Sequence, residues 1–236
     1  MHRDHVGWFS PSLGRGMELL WFGHWGRPVL AFPTSAARFY ELEDFGLVGA
    51  LTDKIEGGEI QLCCVDSVND ESWYNRGAHP ADRVRRHDAY DRYLRHEVIP
   101  YAAARARRDD LVTYGASFGA YQAVNLACRY PEHVRKVVAF SGMYDVHQFL
   151  DGYWDDLCYF HCPTAYLPNL DGDWVRRLAG VQFVIATGEH DHLVGATRDM
   201  LHLLGRKGIP AYGEVWQGQF GHDWPYWKEH LRRFVP

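Results

Sequence analysis

Residues 111–119 read LVTYGASFG, and the chain continues AYQAV. A strand-like run therefore enters Gly115-Ala116-Ser117-Phe118-Gly119, and a helical segment leaves it. A G-x-S-x-G string alone carries little information. Between a strand and a helix it predicts a tight, strained turn that lifts the serine hydroxyl above a sheet. Glycines suit positions 115 and 119 because larger side chains would collide where strand and helix approach. The N-terminus of the following helix favours developing negative charge. The chemistry this predicts is nucleophilic attack by Ser117.

A serine nucleophile needs a base, and the base needs an acid to orient it. One recurring chain order is serine, then acid, then histidine. Downstream, the apolar run VQFVIATG ends in Glu189-His190-Asp191-His192, and the run AYGEVW is followed by QGQFGHDW. Both clusters leave strand ends in that order. Asp191 is assigned as the acid and His222 as the base; Gly221 permits a tight loop before the histidine, and a helix follows. Glu189 and Asp145 are rival acids, although Asp145 reads better as a cap for the segment VHQFL. The HDH triplet invites a metal reading, but three ligands on one short loop surround an ion poorly. The run CYFHC, with Cys158, His161 and Cys162, lacks the second ligand pair of a zinc site. No metal is expected.

An oxyanion hole requires two N–H donors. Phe118, directly after the nucleophile, should supply one. The loop after PVLAF, reading Pro33-Thr34-Ser35-Ala36-Ala37, should supply the other, with Ser35 first and Thr34 or Ala36 as alternatives. On the substrate side, Trp73, Tyr144, Trp154 and Trp224 are candidate pocket walls. The aromatic stretch from Met143 to Asp173 could wall an acyl or alcohol pocket, or could form a small core under a long loop.

The elements that must position these groups follow from the pattern of apolar runs. The 236 residues suit one α/β domain, 1–236, without a marked linker or repeat. HVGWFS and MELLWFG read as an antiparallel pair, and PVLAF, IQLCCV, LVTYGAS, KVVAFS, VQFVIATG and AYGEVW as further strands. Helices are predicted over about 38–55, 82–108 with a kink at Pro100, 118–129, 193–207 and 224–234. This alternation predicts a mostly parallel sheet of about eight strands, covered on both faces, with an antiparallel edge and no large lid. Ligands bind beyond the carboxyl ends of strands in such sheets, where all the polar clusters above fall.

A net charge of -5 gives no electrostatic reason to bind nucleic acid or anionic membrane. The arginines of the 82–108 segment are interleaved with acids, as on a solvated, ion-paired face. No apolar run approaches a membrane span, the start MHRDHVGWFS lacks the features of a signal peptide, and five cysteines cannot all pair. A cytoplasmic setting with reduced thiols is expected.

Taken together, GASFG, GEHD and the terminal GHDWPYW, with a second tryptophan three residues after the first, resemble the putative-esterase branch of the α/β-hydrolase superfamily. That branch includes esterase D, S-formylglutathione hydrolases, feruloyl-esterase-like domains and the mycolyltransferases. The resemblance runs in order from FPTSAARFYELEDFG to the histidine. It implies a Ser117–Asp191–His222 triad, a small-molecule ester substrate and no cofactor. The chain departs from the mycolyltransferases in lacking a secretion signal and in its Asp-type acid cluster. Without a cap, small or short-chain esters are expected. An acyltransferase using the same triad is the second reading; a silent scaffold used for binding is the third, and it has no need of an intact triad.

Overall fold

The computed structural model describes residues 1–218 and 221–236. β1 (Arg3–Ser10) and β2 (Arg15–Phe22) form an antiparallel hairpin, with Arg3 opposite Phe22 and Ser10 opposite Arg15. β3 (Arg27–Phe32) leads to three short helices, α1 (Glu41–Asp44), α2 (Leu47–Ala50) and α3 (Thr52–Glu56), and then to β4 (Ile60–Val65). α4 (Pro80–Tyr93) and α5 (Ile99–Ala106) precede β5 (Leu111–Ala116), α6 (Phe118–Arg129) and β6 (Val134–Phe140). After α7 (Asp156–Phe160), α8 (Pro163–Tyr166) and α9 (Gly172–Leu178) come β7 (Gln182–Gly188), α10 (Val194–Arg206), β8 (Ala211–Trp216) and α11 (Trp224–Phe234).

The sheet has eight strands in the order β1-β2-β4-β3-β5-β6-β7-β8. β1, β2 and β4 pair antiparallel; every other neighbouring pair is parallel. Both faces are covered, and single strands show why. In β4, Leu62 and Cys64 pack into one core cluster while Cys63 and Val65 pack into the other. Period-2 side-chain alternation thus feeds two apolar layers, so the run IQLCCV is apolar throughout. Trp21, Tyr90, Tyr93 and Tyr114 are fully buried in these two layers, and Trp73 in a third, smaller cluster. The cysteines are free and buried. Among the described residues, no helix is long and apolar enough to cross a membrane.

Two sequence expectations, the 38–55 helix and the place of Arg83, are corrected, and the kinked 82–108 helix is refined. The helix expected over 38–55 is α1, α2 and α3, interrupted because Gly46 adopts a left-handed φ of 76°. The 82–108 helix is α4 and α5 joined by a π-helical turn, Leu94–Val98. Pro100 offers no N–H and its ring crowds the carbonyl one turn back, so the ladder opens just before it. Arg83 does not belong to a solvated face. It is buried and braces surrounding loops, donating to the carbonyls of Ala78, Phe149 and Arg76 and to Asp151. Arg85, Arg86, Arg92 and Arg105 do form ion pairs, with Asp82, Glu71, Asp88 and Asp4.

Candidate active site

Ser117 joins β5 to α6 with φ 56° and ψ −122°, a backbone conformation unfavourable for any residue with a Cβ. Its N–H donates to Phe140 O at 2.9 Å, tying the turn to the end of β6. The two glycines are there because no other residue fits. A Cβ on Gly115 would run into the Gly119 carbonyl, and one on Gly119 would stand 2.7 Å from the carbonyl oxygens of Phe32 and Pro33. Those contacts are backbone and cannot swing aside. Gly115→Ala should therefore cost about 3 kcal/mol or more, read as a lower urea midpoint with an unchanged slope.

Asp191 leaves the end of β7 and is buried. Both carboxylate oxygens face His222 Nδ1, at 3.1 and 3.0 Å, and Oδ1 also accepts the Leu193 N–H at 2.8 Å. His222 follows β8, and Asp223 immediately caps α11 by accepting the Trp224 N–H at 2.7 Å. Gln219 and Phe220, in the run before it, lie outside the described residues. Since β5, β6, β7 and β8 are neighbours in that order, Ser117 and the Asp191–His222 pair occupy one carboxyl edge of the sheet.

Burial alone would raise the Asp191 carboxyl. Hydrogen bonds from His222, Ser141 and the Leu193 amide outweigh it and hold the group down at about 2, below its usual 3.8. A carboxyl depressed on folding contributes stability that is complete above its unfolded pKa and is lost as pH falls through the folded one. The contribution is about 2 kcal/mol at neutral pH. Urea unfolding of wild type and Asp191→Asn should therefore differ by about that much at pH 7 and converge between pH ~4 and ~2.

The rival acids are placed elsewhere. Asp145 Oδ1 accepts the His147 N–H at 2.8 Å and lies 2.6 Å from His147 Nδ1, with Thr164 Oγ1 donating to its other oxygen at 2.9 Å. Glu189 accepts the Gly218 N–H at 3.1 Å. Among the described residues, two side-chain groups could present metal donors: Asp191, His192 and His222, and Asp145, His147 and Cys162. In the first, Nδ1 of His222 is already taken up by Asp191. In the CYFHC run, both ring nitrogens of buried His161 are engaged, by Asp88 at 3.2 Å and Asn125 at 3.3 Å.

The loop after β3 is held by Glu41, which accepts the Thr34 N–H at 2.8 Å and the Thr34 hydroxyl at 2.5 Å. Burial pushes the Glu41 carboxyl up, against the pull of these two bonds. The Thr34 amide is thereby committed, while exposed Ser35 and Ala36, the latter at φ 53°, form the tip of the loop. Tyr74 links this tip to the nucleophile turn. Its hydroxyl donates to Ser35 Oγ at 2.6 Å, and its ring meets Phe118 edge-on at 5.1 Å between centroids. A second bridge runs from Gln122 of α6 through Asn69, at 2.6 Å, to the Thr34 carbonyl at 3.4 Å.

The four candidate pocket residues are placed unequally. Trp73 and Tyr144 are fully buried, and Trp224 is buried while stacking on Phe45 at 5.0 Å. Tyr144 nonetheless borders a cavity of about 320 Å³ with Asp145, Thr164 and Pro168. Trp154 is 40% exposed and stacks on His147 with ring centroids 4.3 Å apart. The 143–173 stretch packs Met143, Val146, Phe149 and Leu150 against Phe118 and Tyr121, as a small core beside the turn.

Sequence reasoning missed Trp227 and Ser141. The indole of Trp227 meets the His222 ring at 5.1 Å and 89°, and its Nε1 donates to Ser141 Oγ at 3.0 Å. Trp227 is the second tryptophan of GHDWPYW, so its spacing was visible; Ser141 gave no signal beyond ending a strand. His192 also lies against His222, at 4.5 Å between centroids.

Comparison with solved structures gives the same fold at low identity. A ferulic acid esterase superposes with TM-score 0.79 at 16% identity, covering 100% of this chain and 96% of that one. An S-formylglutathione hydrolase from Agrobacterium tumefaciens gives 0.71 at 13%, covering 99% and 95%. One from Staphylococcus aureus gives 0.65 at 16%, covering 98% and 94%. No curated protein sequence matches the chain. Residues 51–236 match the model of the family described as "Putative esterase", and the chain belongs to that family, as a carboxylic-ester hydrolase of α/β-hydrolase fold.

Proposed function

We propose that this esterase works through an acyl-enzyme on Ser117, with His222 as base and Asp191 as its orienting acid, on small or short-chain esters. The observation that carries the reading is the Asp191 carboxylate on His222 Nδ1, which leaves Nε2 as the basic nitrogen, on the edge that carries strained Ser117. His222 Nε2 takes the Ser117 proton as Oγ attacks the ester carbonyl, and Asp191 stabilises the imidazolium that forms. The tetrahedral oxyanion is received by the Phe118 N–H, which has no helical partner at the first position of α6, and by the Ser35 or Ala36 N–H. The Thr34 amide is excluded from that role by its bond to Glu41. The imidazolium then protonates the leaving alkoxide. Water, deprotonated by His222, cleaves the acyl–Oγ bond and releases the acid.

The preference for small acyl groups is supported by the 143–173 segment, whose buried side chains form a core beside the turn instead of a cap. Tyr74 and Trp154 remain as exposed or half-buried rings for contact with substrate. The reading takes residues 1–236 as one catalytic domain, since strands from Arg3 to Trp216 lie in one sheet. A cytoplasmic setting is supported by the free, buried cysteines.

The test is a p-nitrophenyl ester series of increasing acyl length, followed by fluorophosphonate labelling and peptide mass spectrometry. The expected result is kcat/KM that falls as the acyl chain lengthens, and a phosphonyl adduct on Ser117. An adduct on another residue sinks the nucleophile assignment; rising kcat/KM with chain length sinks the small-acyl reading. Added alcohol acceptors would reveal acyl transfer as ester product formed in place of free acid.

A further inference from the structure

α6 carries Ser117 at its N-terminal entry, and at its other end, roughly 16 Å along the axis, it walls a separate cavity. This cavity encloses about 310 Å³ and is lined chiefly by rings, among them Tyr130, Phe160, Trp174 and Tyr166, with Arg95 and Arg129 at its polar side. Phe160 is 53% exposed, although it stands in a concavity where an aromatic ring would ordinarily be covered. The two guanidinium groups differ. Arg129 is committed to Asp91 at 3.1 Å and to the Phe160 carbonyl at 2.9 Å. Arg95 lies 4.7 Å from the Tyr130 ring centroid and has no carboxylate partner among the described residues. The Tyr166 hydroxyl is buried beside the Cys128 thiol, so Tyr166 offers the cavity its ring. No described carboxylate lines the cavity.

We infer that this cavity is a second binding site, for a small planar aromatic carboxylate. The rings supply flat apolar faces, and a cavity of this size takes one or two fused rings. The unpaired Arg95 fork matches a carboxylate, whereas a cationic ligand would meet two guanidinium groups and no acid. The site does not depend on the reaction assigned to Ser117, since no residue is shared with it.

The test is isothermal titration calorimetry with 2-naphthoate and its uncharged amide, on wild type, Arg95→Glu, Phe160→Ala and Ser117→Ala. Arg95 and Phe160 are exposed, so their replacement leaves the core intact. Naphthoate should bind wild type and Ser117→Ala alike. Arg95→Glu and Phe160→Ala should each weaken it by about tenfold or more, and the amide should bind wild type weaker by a similar factor. Absence of binding, equal affinity for acid and amide, unchanged affinity in Arg95→Glu, or loss in Ser117→Ala would each overturn the proposal. The last outcome would move the ligand to the nucleophile's end of α6.

Discussion

Ser117→Ala should lower kcat for a short-chain ester by about 10⁴- to 10⁶-fold, with KM changed little. In the proposed mechanism the lost group takes part only in bond formation, so ground-state binding should survive its removal. Its neighbours explain why no other hydroxyl substitutes. Ser141 Oγ accepts from Trp227 Nε1, and the Ser35 hydroxyl accepts from Tyr74. The variant should keep the left-handed backbone at 117, since that geometry is imposed by the Phe140 bond and by the packing of Gly115 on Gly119. His222→Ala should cost a similar factor, and the double variant little more than either single one, because the two groups act as a unit. Esterase kinetics on purified variants, with far-UV circular dichroism as the fold control, measure this. A loss below about tenfold in Ser117→Ala would mean that the acyl group is carried elsewhere.

The contrast between what was and was not legible in the sequence follows from the range of the forces involved. The Gly115–Gly119 turn was readable because its constraint is local: backbone meets backbone at Gly115 and Gly119, and no other residue type satisfies it. α6 and α11 were readable to their ends because strand, turn and cap signals flank them; Asp223 caps α11 with its own side chain. The 38–55 segment was misread because apolar spacing near 3.6 continues across Gly46, while the backbone turns there. The pocket residues were hardest. Trp73 and Trp154 look alike in sequence, yet one is fully buried under α4 and α6 neighbours and the other stands on His147 at the surface. Residue type does not decide which side of a loop faces water; long-range packing does. The same holds for the loop after β3. Thr34, Ser35 and Ala36 are equivalent small residues until Glu41, seven positions later, takes the Thr34 amide.

Asp191→Asn should reduce kcat by about 10⁴-fold without displacing the histidine. The carboxylate is acceptor-only, so Nδ1 facing it carries the proton and Nε2 keeps its lone pair. An asparagine at 191 can keep the Leu193 amide bond through its carbonyl and present its NH₂ to the ring. Nδ1 then becomes an acceptor, the proton moves to Nε2, and the base loses the site that takes the Ser117 proton. The imidazolium formed during attack also loses its counter-charge. Trp227 still holds the ring from the side, so geometry and chemistry separate in this variant: fluorophosphonate labelling should slow with kcat while substrate KM stays near wild type. Glu189→Gln and Asp145→Asn provide the discriminating controls. Glu189 anchors Gly218 in the loop before His222, and Asp145 holds the backbone and ring of exposed His147, so each should cost at most about tenfold. A 10⁴-fold loss in either, with Asp191→Asn near wild type, would transfer the acid's role to that residue.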